Sequence, residues 1–431
     1  MSLLALLALL GLAAGGAGQT PSPEPTPDPS ETSETPPVPL PPLSPPEQVG
    51  VPDALDPGPG PGPGWLLRVG MYPGWDSNVR LAFPADAVGE GEASDFAGRA
   101  SLDLTRRWAG SRSDLAVVLQ ANGAAYAQQR SLNQAGFGAG VKGTHRPSLH
   151  TSLRASGSFA DGYARDVSRV VAAGLLLPLV RSRALGSEAG ISVGLGARAT
   201  ASLDGSYRSI QFDSSDFPDS SQATAALRLT RQLGSRADAE LSYAFDREVP
   251  DAGAEIGGAG GPPAMTTHSA LLGASGVLRR GLQMKGSLGV LYVPASATAE
   301  PVVYPSGSAS LALSTRRTRL EASYERVPQL AYGYGRATVT DNGRLAYRLQ
   351  LGPRTALMCG ATRGYGQDPA DPLFRLVDTT ATVGLTASFG RGYQTGLTYA
   401  YGLREHHDGT VEQPPVDSHA VGLSFSKEWA W

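Results

Sequence analysis

The segment "RLAYRLQL" at residues 344–351 alternates strictly between polar and apolar side chains. Leu345, Tyr347 and Leu349 lie on one side of an extended chain, and Arg344 and Arg348 lie on the other. A period of two residues predicts a β-strand with one apolar face and one polar face.

The same alternation recurs along the chain from residue 65 onward, in segments such as "RASLDLT" (99–105), "DAELSYAF" (238–245), "RLEASYE" (319–325) and "GLTYAYGL" (396–403). A water-soluble β-sandwich also alternates in this way, so the period alone does not decide between the two architectures. The polar faces carry charges in the middle of strands, however, and the apolar faces carry Tyr near strand ends. That arrangement is typical of a membrane barrel with lipid outside, water inside and aromatic girdles at the interfaces.

The connections between the strands also alternate in length. Short turns rich in Arg and Gly are predicted at 108–114, 144–150, 181–188, 232–238, 278–283, 314–319, 351–356 and 389–394. Longer acidic or Gly/Pro-rich loops lie between them, for example at 213–222, 246–267 and 406–417. Outer-membrane barrels have this asymmetry, with short periplasmic turns and long outer loops.

We therefore predict an all-β fold, a transmembrane antiparallel up-and-down β-barrel of about 18 strands. An even strand count places both ends of the barrel on the same side of the membrane. The segment 167–181 is apolar on both faces and is the least regular of the set. The predicted strands are 65–79, 95–108, 114–129, 133–145, 149–163, 167–181, 188–210, 221–232, 236–248, 267–279, 282–295, 304–315, 318–331, 336–351, 354–366, 376–389, 392–405 and 417–431.

The first 64 residues differ from the rest of the chain. Residues 1–19 are apolar with small residues after them, which predicts a signal peptide and export across the inner membrane. Residues 20–64 hold half of the 34 prolines, seven acids and no base, which predicts a disordered, extended arm in the periplasm. The predicted barrel then occupies residues 65–431.

Composition argues against several classes of function. Cys359 is the only cysteine and there are six histidines, so we expect no cofactor and no metal site. The adjacent His406 and His407 point to opposite faces if they lie on a strand. His268, His406, His407 and His419 lie near the predicted outer rim, but none pairs convincingly with a nucleophile, so we expect no enzyme. A net charge of −3 gives no reason to expect nucleic acid as a partner.

A set of charged side chains is predicted to line the lumen and to contact a hydrated permeant. The alternative is that these charges solvate the wall and link neighbouring strands. Across the turn near 234, Arg228 is expected to meet Glu240. The set is Arg99, Asp103, Lys142, Arg154, Arg198, Arg228, Asp238, Glu240, Lys285, Arg319, Glu321, Glu325, Arg344 and Arg348.

The final segment, "SFSKEWAW" (424–431), is predicted to be the assembly signal that the outer-membrane insertion machinery recognises, with Phe425, Trp429 and Trp431 on the lipid face. Indole rings are favoured at the membrane interface. Lys427 places a charge in the same apolar row, which suits only a position close to the interface.

The opening segment "RVGMYPGWDSNVRLAF" (68–83) resembles the Gly-Tyr-Asp-Ser-Asn-Val first strand of a broad group of outer-membrane barrels, with Trp75 in place of the Tyr. Several members of that group are associated with exopolysaccharide synthesis and export. The strand count is similar to that of alginate-type export porins and of the barrels that partner short polysaccharide-export proteins. The resemblance implies a polysaccharide-export porin but transfers no substrate-binding residue.

From these patterns we predict a porin-like channel in the outer membrane of a Gram-negative bacterium, most simply a conduit for a secreted polysaccharide. Its expected partners are outer-membrane lipid, lipopolysaccharide, the insertion machinery and a periplasmic polysaccharide-export protein. Two alternatives stay open: a general or solute-specific diffusion porin, and a structural barrel that anchors an envelope complex.

Overall fold

Alternating side chains build a single β-sheet that closes on itself. The structure is a computed structural model. It describes residues 64–77, 94–163, 180–213, 219–250, 264–294, 300–331, 336–368, 373–390, 392–408, 411–412 and 415–431. The predicted signal peptide and all but the last residue of the proline-rich arm lie outside these ranges, as does almost all of the predicted strand 167–181.

Eighteen long strands and one two-residue strand, β18, form the sheet. Their bounds are β1 Gly64–Asp76, β2 Asp95–Ala109, β3 Ser113–Tyr126, β4 Gln134–His145, β5 Thr151–Tyr163, β6 Arg181–Gly194, β7 Ala199–Phe212, β8 Ser220–Gln232, β9 Ala237–Pro250, β10 Met265–Arg279, β11 Leu282–Val293, β12 Val302–Ser314, β13 Thr318–Ala331, β14 Arg336–Gln350, β15 Thr355–Gln367, β16 Arg375–Ser388, β17 Tyr393–Asp408, β18 Val411–Glu412 and β19 Val416–Ala430. A 3₁₀ turn at Arg130–Leu132 precedes β4. Among the described residues, no helix is long and apolar enough to cross a membrane.

Each long strand pairs antiparallel with the next one along the chain, and β1 also pairs with β19. The short β18 pairs only with the end of β17. The sheet is therefore a closed up-and-down barrel of 18 long strands. This confirms the predicted fold class.

One predicted strand and one predicted turn are wrong. The segment 181–188 is not a turn, because it lies inside β6, and 188–210 is not one strand, because residues 195–198 interrupt it. Gly196 has a φ of 132°, which a side chain with a Cβ rarely adopts, and it allows the chain to reverse there. The predicted strand had 23 residues, about twice what a bilayer crossing needs, and that length was the available warning. The number of long strands in the closed sheet is nevertheless 18, because β5 pairs directly with β6. The predicted strand 167–181 lies almost entirely outside the described residues.

The two ends of the barrel differ. Eight short connections lie at one end, here called the turn end: 110–112, 146–150, 195–198, 233–236, 280–281, 315–317, 351–354 and 389–392. The opposite end, here called the loop end, carries the remaining connections, which include the longest ones. The first residue of β1 and the last residue of β19 both lie at the turn end.

The outward face of the barrel is apolar and exposed. Leu288 is 79% exposed, Leu272 is 67% and Met71 is 61%. Exposed apolar side chains follow every second residue around the whole sheet, and such a continuous surface suits lipid and not water. The strands therefore cross a membrane.

The opening segment of β1 lies at the seam between β1 and β19. Trp75 faces outward beside Val421 and Phe96, while Asp76 lies on the inner face and is buried. Ser77 Oγ accepts a hydrogen bond of 2.7 Å from the backbone N–H of His419. The part of the opening motif that the structure describes thus closes the barrel.

Candidate functional site: the inner wall of the barrel

The strand registers decide which side chains face the lumen. Opposed residues in an antiparallel sheet share a face, so one exposed apolar residue fixes the direction of its whole row. Val69 lies opposite Leu102, and Arg68 lies opposite Asp103. The row with Val69 faces lipid, and the row with Arg68 faces inward.

Thirteen of the fourteen charged residues predicted for the lumen lie on the inner face. Arg198 does not, because it belongs to the turn 195–198 and is exposed at the turn end. The error follows directly from the missed chain reversal at Gly196. Contact of the other thirteen with a permeant remains a prediction.

Most charges on the inner face meet an opposite charge on a neighbouring strand. Glu240 on β9 contacts two cations: Arg228 Nε lies 3.0 Å from Oε1, and Lys285 Nζ lies 3.4 Å from Oε2. The expected contact between Arg228 and Glu240 is therefore present, although the two residues are not directly opposed in the strand pair. Arg228 faces Ser242 and Glu240 faces Thr230, so the ion pair is diagonal.

Further ion pairs extend this network around the inner wall. Their N–O distances run from 2.5 to 3.6 Å, and the side chains are mostly part-exposed. They are Arg68–Glu428 at 2.9 Å, Arg107–Asp114 at 2.5 Å, Arg154–Asp204 at 2.6 Å, Arg208–Glu188 at 3.6 Å and Arg319–Glu321 at 2.5 Å.

A basic patch lies on the inner wall between β13 and β14. Arg348 faces Arg319 directly across the strand pair, and Arg344 follows four residues further along β14. Like charges in opposed positions repel each other, and Glu321 relieves this by binding Arg319. This patch presents positive charge toward the lumen.

The inner wall from β15 to β19 carries few charges. Its inward residues are mostly small or hydroxyl-bearing, and Thr362 on β15 hydrogen-bonds Thr380 on β16. The exceptions among the described side chains are Glu428 and the buried pair Asp378–Arg404, whose N–O distance is 3.1 Å. The hydroxyl side chains are Thr362, Thr380, Thr382, Thr386, Ser388, Thr398, Ser418, Ser424 and Ser426.

The lumen narrows where distant strands approach each other. Residues of β9 come within 8 Å of β14, Cα to Cα, and β13 approaches both β8 and β9 in the same way. None of these strands are hydrogen-bonded neighbours, so the approach is across the barrel and not along the sheet. At the loop end of these strands, the inward side chains of Glu248, Thr338 and Thr340 are fully buried.

Besides the inner-wall ion pairs Arg68–Glu428, Arg107–Asp114, Arg208–Glu188 and Arg404–Asp378, three groups of charged residues were missed in the sequence. Asp161, Arg181 and Arg183 form outward-facing ion pairs at the loop end, with N–O distances of 3.0 and 3.3 Å. The wrong turn at 181–188 concealed the face of this segment. Another outward group joins Arg326 and Asp341, with Tyr324 donating a 2.6 Å hydrogen bond to Asp341.

The third missed group is an acidic pair on the inner face, Asp246 and Glu248. Residues 246–248 were predicted both as the end of the strand 236–248 and as the start of the loop 246–267, whereas β9 continues to Pro250. Extending the alternation of 238–245 by three residues would have placed both carboxylates inside the barrel.

The predicted assembly residues lie together at the seam. Phe425 and Trp429 face lipid, and the backbones of Trp65 and Trp431 exchange two hydrogen bonds of 2.7 and 3.0 Å. The Lys427 Nζ lies 3.7 Å from the centre of the Tyr393 ring and 5.5 Å from the Trp429 ring. These cation–π contacts explain how the apolar row tolerates a charge.

The rim histidines that the structure describes with side chains belong to the outward aromatic girdle. His268 Nδ1 hydrogen-bonds the Tyr243 hydroxyl at 2.7 Å, and His419 Nδ1 hydrogen-bonds the Tyr399 hydroxyl at 2.8 Å. His407 lies on the outward row of β17, opposite Arg375. Among the described residues, no group of three or more His, Cys, Asp or Glu is placed to hold a metal ion.

Comparison with known proteins yields structural similarity without sequence similarity. The chain is similar to OccK9 (OpdG) of Pseudomonas aeruginosa, with 13% identity, a TM-score of 0.46, and 85% of this chain and 98% of that chain covered. It is similar to the siderophore receptor PirA of the same organism, with 10% identity, a TM-score of 0.41, and 84% and 80% covered. It is also similar to the ferric citrate transporter FecA, with 8% identity, a TM-score of 0.44, and 85% and 79% covered.

No protein-family model and no curated protein matches the chain. Similarity at this level says nothing about a shared substrate. The function must therefore be argued from the barrel itself.

Proposed function

We propose that this protein is a porin-like diffusion channel of the outer membrane, for small, polar, hydrated solutes. One observation carries the proposal: a closed cylinder whose outer face is apolar and exposed has an inner face of ion pairs and hydroxyl groups. Such an inner face offers hydrogen bonds to water and to polar solutes. In this proposal the barrel is passive and has neither a catalytic site nor a cofactor.

A diffusion channel fits the lumen better than the conduit for a polysaccharide that we predicted from the opening strand. Eighteen strands enclose enough space for an aqueous channel. The approach of β9 to β14 reduces that space, which disfavours a bulky polymer and favours small solutes. The described part of the opening motif lies at the seam, where Ser77 accepts a hydrogen bond from the backbone N–H of His419.

The orientation in this proposal follows from the two unlike ends. The turn end, with both ends of the β-barrel, faces the periplasm, and the loop end faces outward. The proline-rich arm would then extend into the periplasm, where it could reach an envelope partner.

Membrane lipid and lipopolysaccharide are the partners that we propose for the outward face. Arg183, Arg326 and Arg363 lie on that face toward the loop end, at the edge of the apolar belt. Guanidinium groups bind phosphate well, so these residues suit phosphorylated head groups of the outer leaflet. The insertion machinery is the partner that we propose for β19.

The channel proposal is tested by conductance across planar bilayers. We expect discrete openings from the purified full chain and a shift toward cation selectivity when Arg228 and Lys285 are both changed to Glu. Leu288→Val, on the lipid face, is the matched control and should leave selectivity unchanged. Folded protein that never conducts would refute the channel.

A separate measurement distinguishes a polymer conduit. A deletion strain that loses one surface polysaccharide, while its uptake of small solutes is unchanged, would favour export over diffusion. Loss of uptake with unchanged surface polymers is the result we expect.

A further inference from the structure

Two neighbouring carboxylates, Asp246 and Glu248, lie on the inner face of β9 near its loop end. Asp246 faces Thr224 on β8 and Thr267 on β10, and Glu248 faces Gln222 on β8. Three strands therefore bring two acids, two hydroxyls and an amide to one place on the wall.

One oxygen of each carboxylate is held by a neighbour. Thr224 donates a 2.6 Å hydrogen bond to Asp246 Oδ1, and Gln222 Nε2 donates a 3.2 Å hydrogen bond to Glu248 Oε1. These bonds fix the orientation of both carboxylates. The second oxygen of Glu248, Oε2, has no hydrogen-bond partner among the described residues.

Asp246 and Glu248 are buried, and no cation among the described residues pairs with either of them. Glu248 and Thr267 are each 0% exposed, and within the described part of the chain Glu248 Oε2 and Thr267 Oγ1 have no hydrogen-bond partner. None of the ion pairs between described residues includes Asp246 or Glu248. Buried carboxylates in water-poor surroundings are costly unless they are paired or bind a metal.

Three other buried carboxylates of the barrel have charged or backbone partners. Asp378 binds Arg404, and Asp161 binds both Arg181 and Arg183. Asp95 accepts backbone hydrogen bonds from Phe96, Gln128 and Gln129. The two acids on β9 differ from these three, because no ion pair or backbone hydrogen bond to either of them occurs among the described residues, and a bound cation would compensate their charge.

We propose that Asp246, Glu248 and Thr267 bind a calcium ion at the loop end of the lumen. Oxygen donors with two negative charges suit Ca²⁺, which accepts carboxylates, neutral oxygens and water in flexible geometry. Two carboxylates balance its charge. Glu248 Oε2 and Thr267 Oγ1 are the unpartnered atoms that the ion would satisfy, and water would complete its coordination.

The position gives this site a structural consequence. It joins β8, β9 and β10 on the wall where β9 approaches β14. A bound ion would hold the narrow part of the lumen in one conformation. The inference does not depend on the channel proposal, because a calcium site could exist in a barrel that never conducts.

The test is calcium-dependent thermal unfolding of the full chain in detergent after treatment with a chelator. We expect the midpoint temperature to rise with CaCl₂ concentration, as for any ligand that binds only the folded state. Asp246→Asn and Glu248→Gln should each abolish that rise, and Thr267→Val should reduce it. Terbium luminescence, with Tb³⁺ as a probe of the same oxygen site, gives a second measurement that does not depend on unfolding.

The matched control is Glu405→Gln, which removes an outward carboxylate near the loop end of β17. This variant should keep the full response to calcium. The proposal is wrong if the wild-type chain shows no response to CaCl₂ or Tb³⁺, or if Glu248→Gln keeps it. Conductance measured on the same preparation separates failure of the calcium site from failure of the channel.

Discussion

At the scale of single residues, burial decides how much each ion pair of the inner wall contributes. Arg228 keeps 44% of its side chain exposed beside Glu240, whereas Arg404 and Asp378 keep only 5% and 3%. Exposed pairs are screened by water and contribute little, while a buried charge that loses its partner is strongly unfavourable. The two pairs have similar N–O distances, so exposure is the property that separates them.

Arg404→Met should therefore destabilise the barrel far more than Arg228→Met. We expect a loss of about 3–5 kcal/mol in the free energy of unfolding for Arg404→Met, and less than about 1 kcal/mol for Arg228→Met. Urea unfolding of the barrel refolded in micelles measures both. The double variant Arg404→Met with Asp378→Leu should recover most of the loss, and equal losses for the two single variants would contradict the argument.

A second prediction concerns the turn between β10 and β11. Gly281 has a φ of 79°, and a Cβ there would collide with the backbone carbonyl of Ser314. We expect Gly281→Ala to cost about 1–3 kcal/mol, since both the backbone conformation and the contact are unfavourable. Gly234, in the turn between β8 and β9, has open space around it.

Gly234→Ala is the matched control and should change the free energy of unfolding by less than about 0.5 kcal/mol. Chemical unfolding of the two variants under identical conditions makes the comparison. If both substitutions were equally mild, the turn at Gly281 would not need a positive φ.

At the scale of strands, most of the barrel could be predicted because side-chain alternation is a local property. The predicted 318–331 has the same bounds as β13, Thr318–Ala331. The prediction failed where the local signal was weak: the turn at 195–198 contains no proline and no acid, and its one strong feature, Gly196, lies in a Gly-rich segment of the sequence.

The inner wall could be predicted only in part, for a different physical reason. Alternation shows which face a charge occupies, so Arg228 and Glu240 were placed on the same face. Whether they meet depends on the register, and the approach of β9 to β14 depends on the shape of the closed sheet. Neither quantity is encoded in any short stretch of sequence.

The last strand, β19, closes the sheet, and its final residue gives a testable prediction. Deleting Trp431 removes both of its backbone hydrogen bonds to Trp65 and one indole of the turn-end interface. We expect much less folded protein in the outer membrane, which heat-modifiable migration on gels would measure. Trp108→Ala is the control, because Trp108 is an exposed indole at the same end but belongs to β2, which pairs with β1 and β3 and not with β19; equal yields for the two variants would contradict this role.

At the scale of the whole molecule, the two faces of the sheet meet different solvents. Cys359 lies on the outward row of β15, opposite Tyr347 and Val383, and Met358 beside it lies on the inward row. Since Cys359 is the only cysteine of the chain, it reports on the lipid face without further engineering.

We expect Cys359 in a bilayer to resist a charged, water-soluble thiol reagent. Met358→Cys in a Cys359→Ser background should react readily, because the inner wall contacts water if the lumen is open. Mass spectrometry of the labelled protein measures both yields, and unfolding in urea should make both cysteines reactive. Protection of both positions in the folded barrel would mean that water does not fill the lumen at this height.

The pairing of β1 with β19 also sets the order of events during biogenesis. Arg68 and Glu428 form an ion pair across 360 residues of sequence, whereas neighbouring strands elsewhere are joined by one connection. Each doubling of a loop adds only about 0.6 kcal/mol to the entropic cost of closing it, so distance in sequence is not the main obstacle. The obstacle is timing, because the last contact cannot form before β19 is present. Until then the sheet has two unpaired edges that would invite aggregation, so a newly made chain needs protection throughout its transit, and substitutions at the seam should affect the yield of assembly more than the stability of the finished barrel.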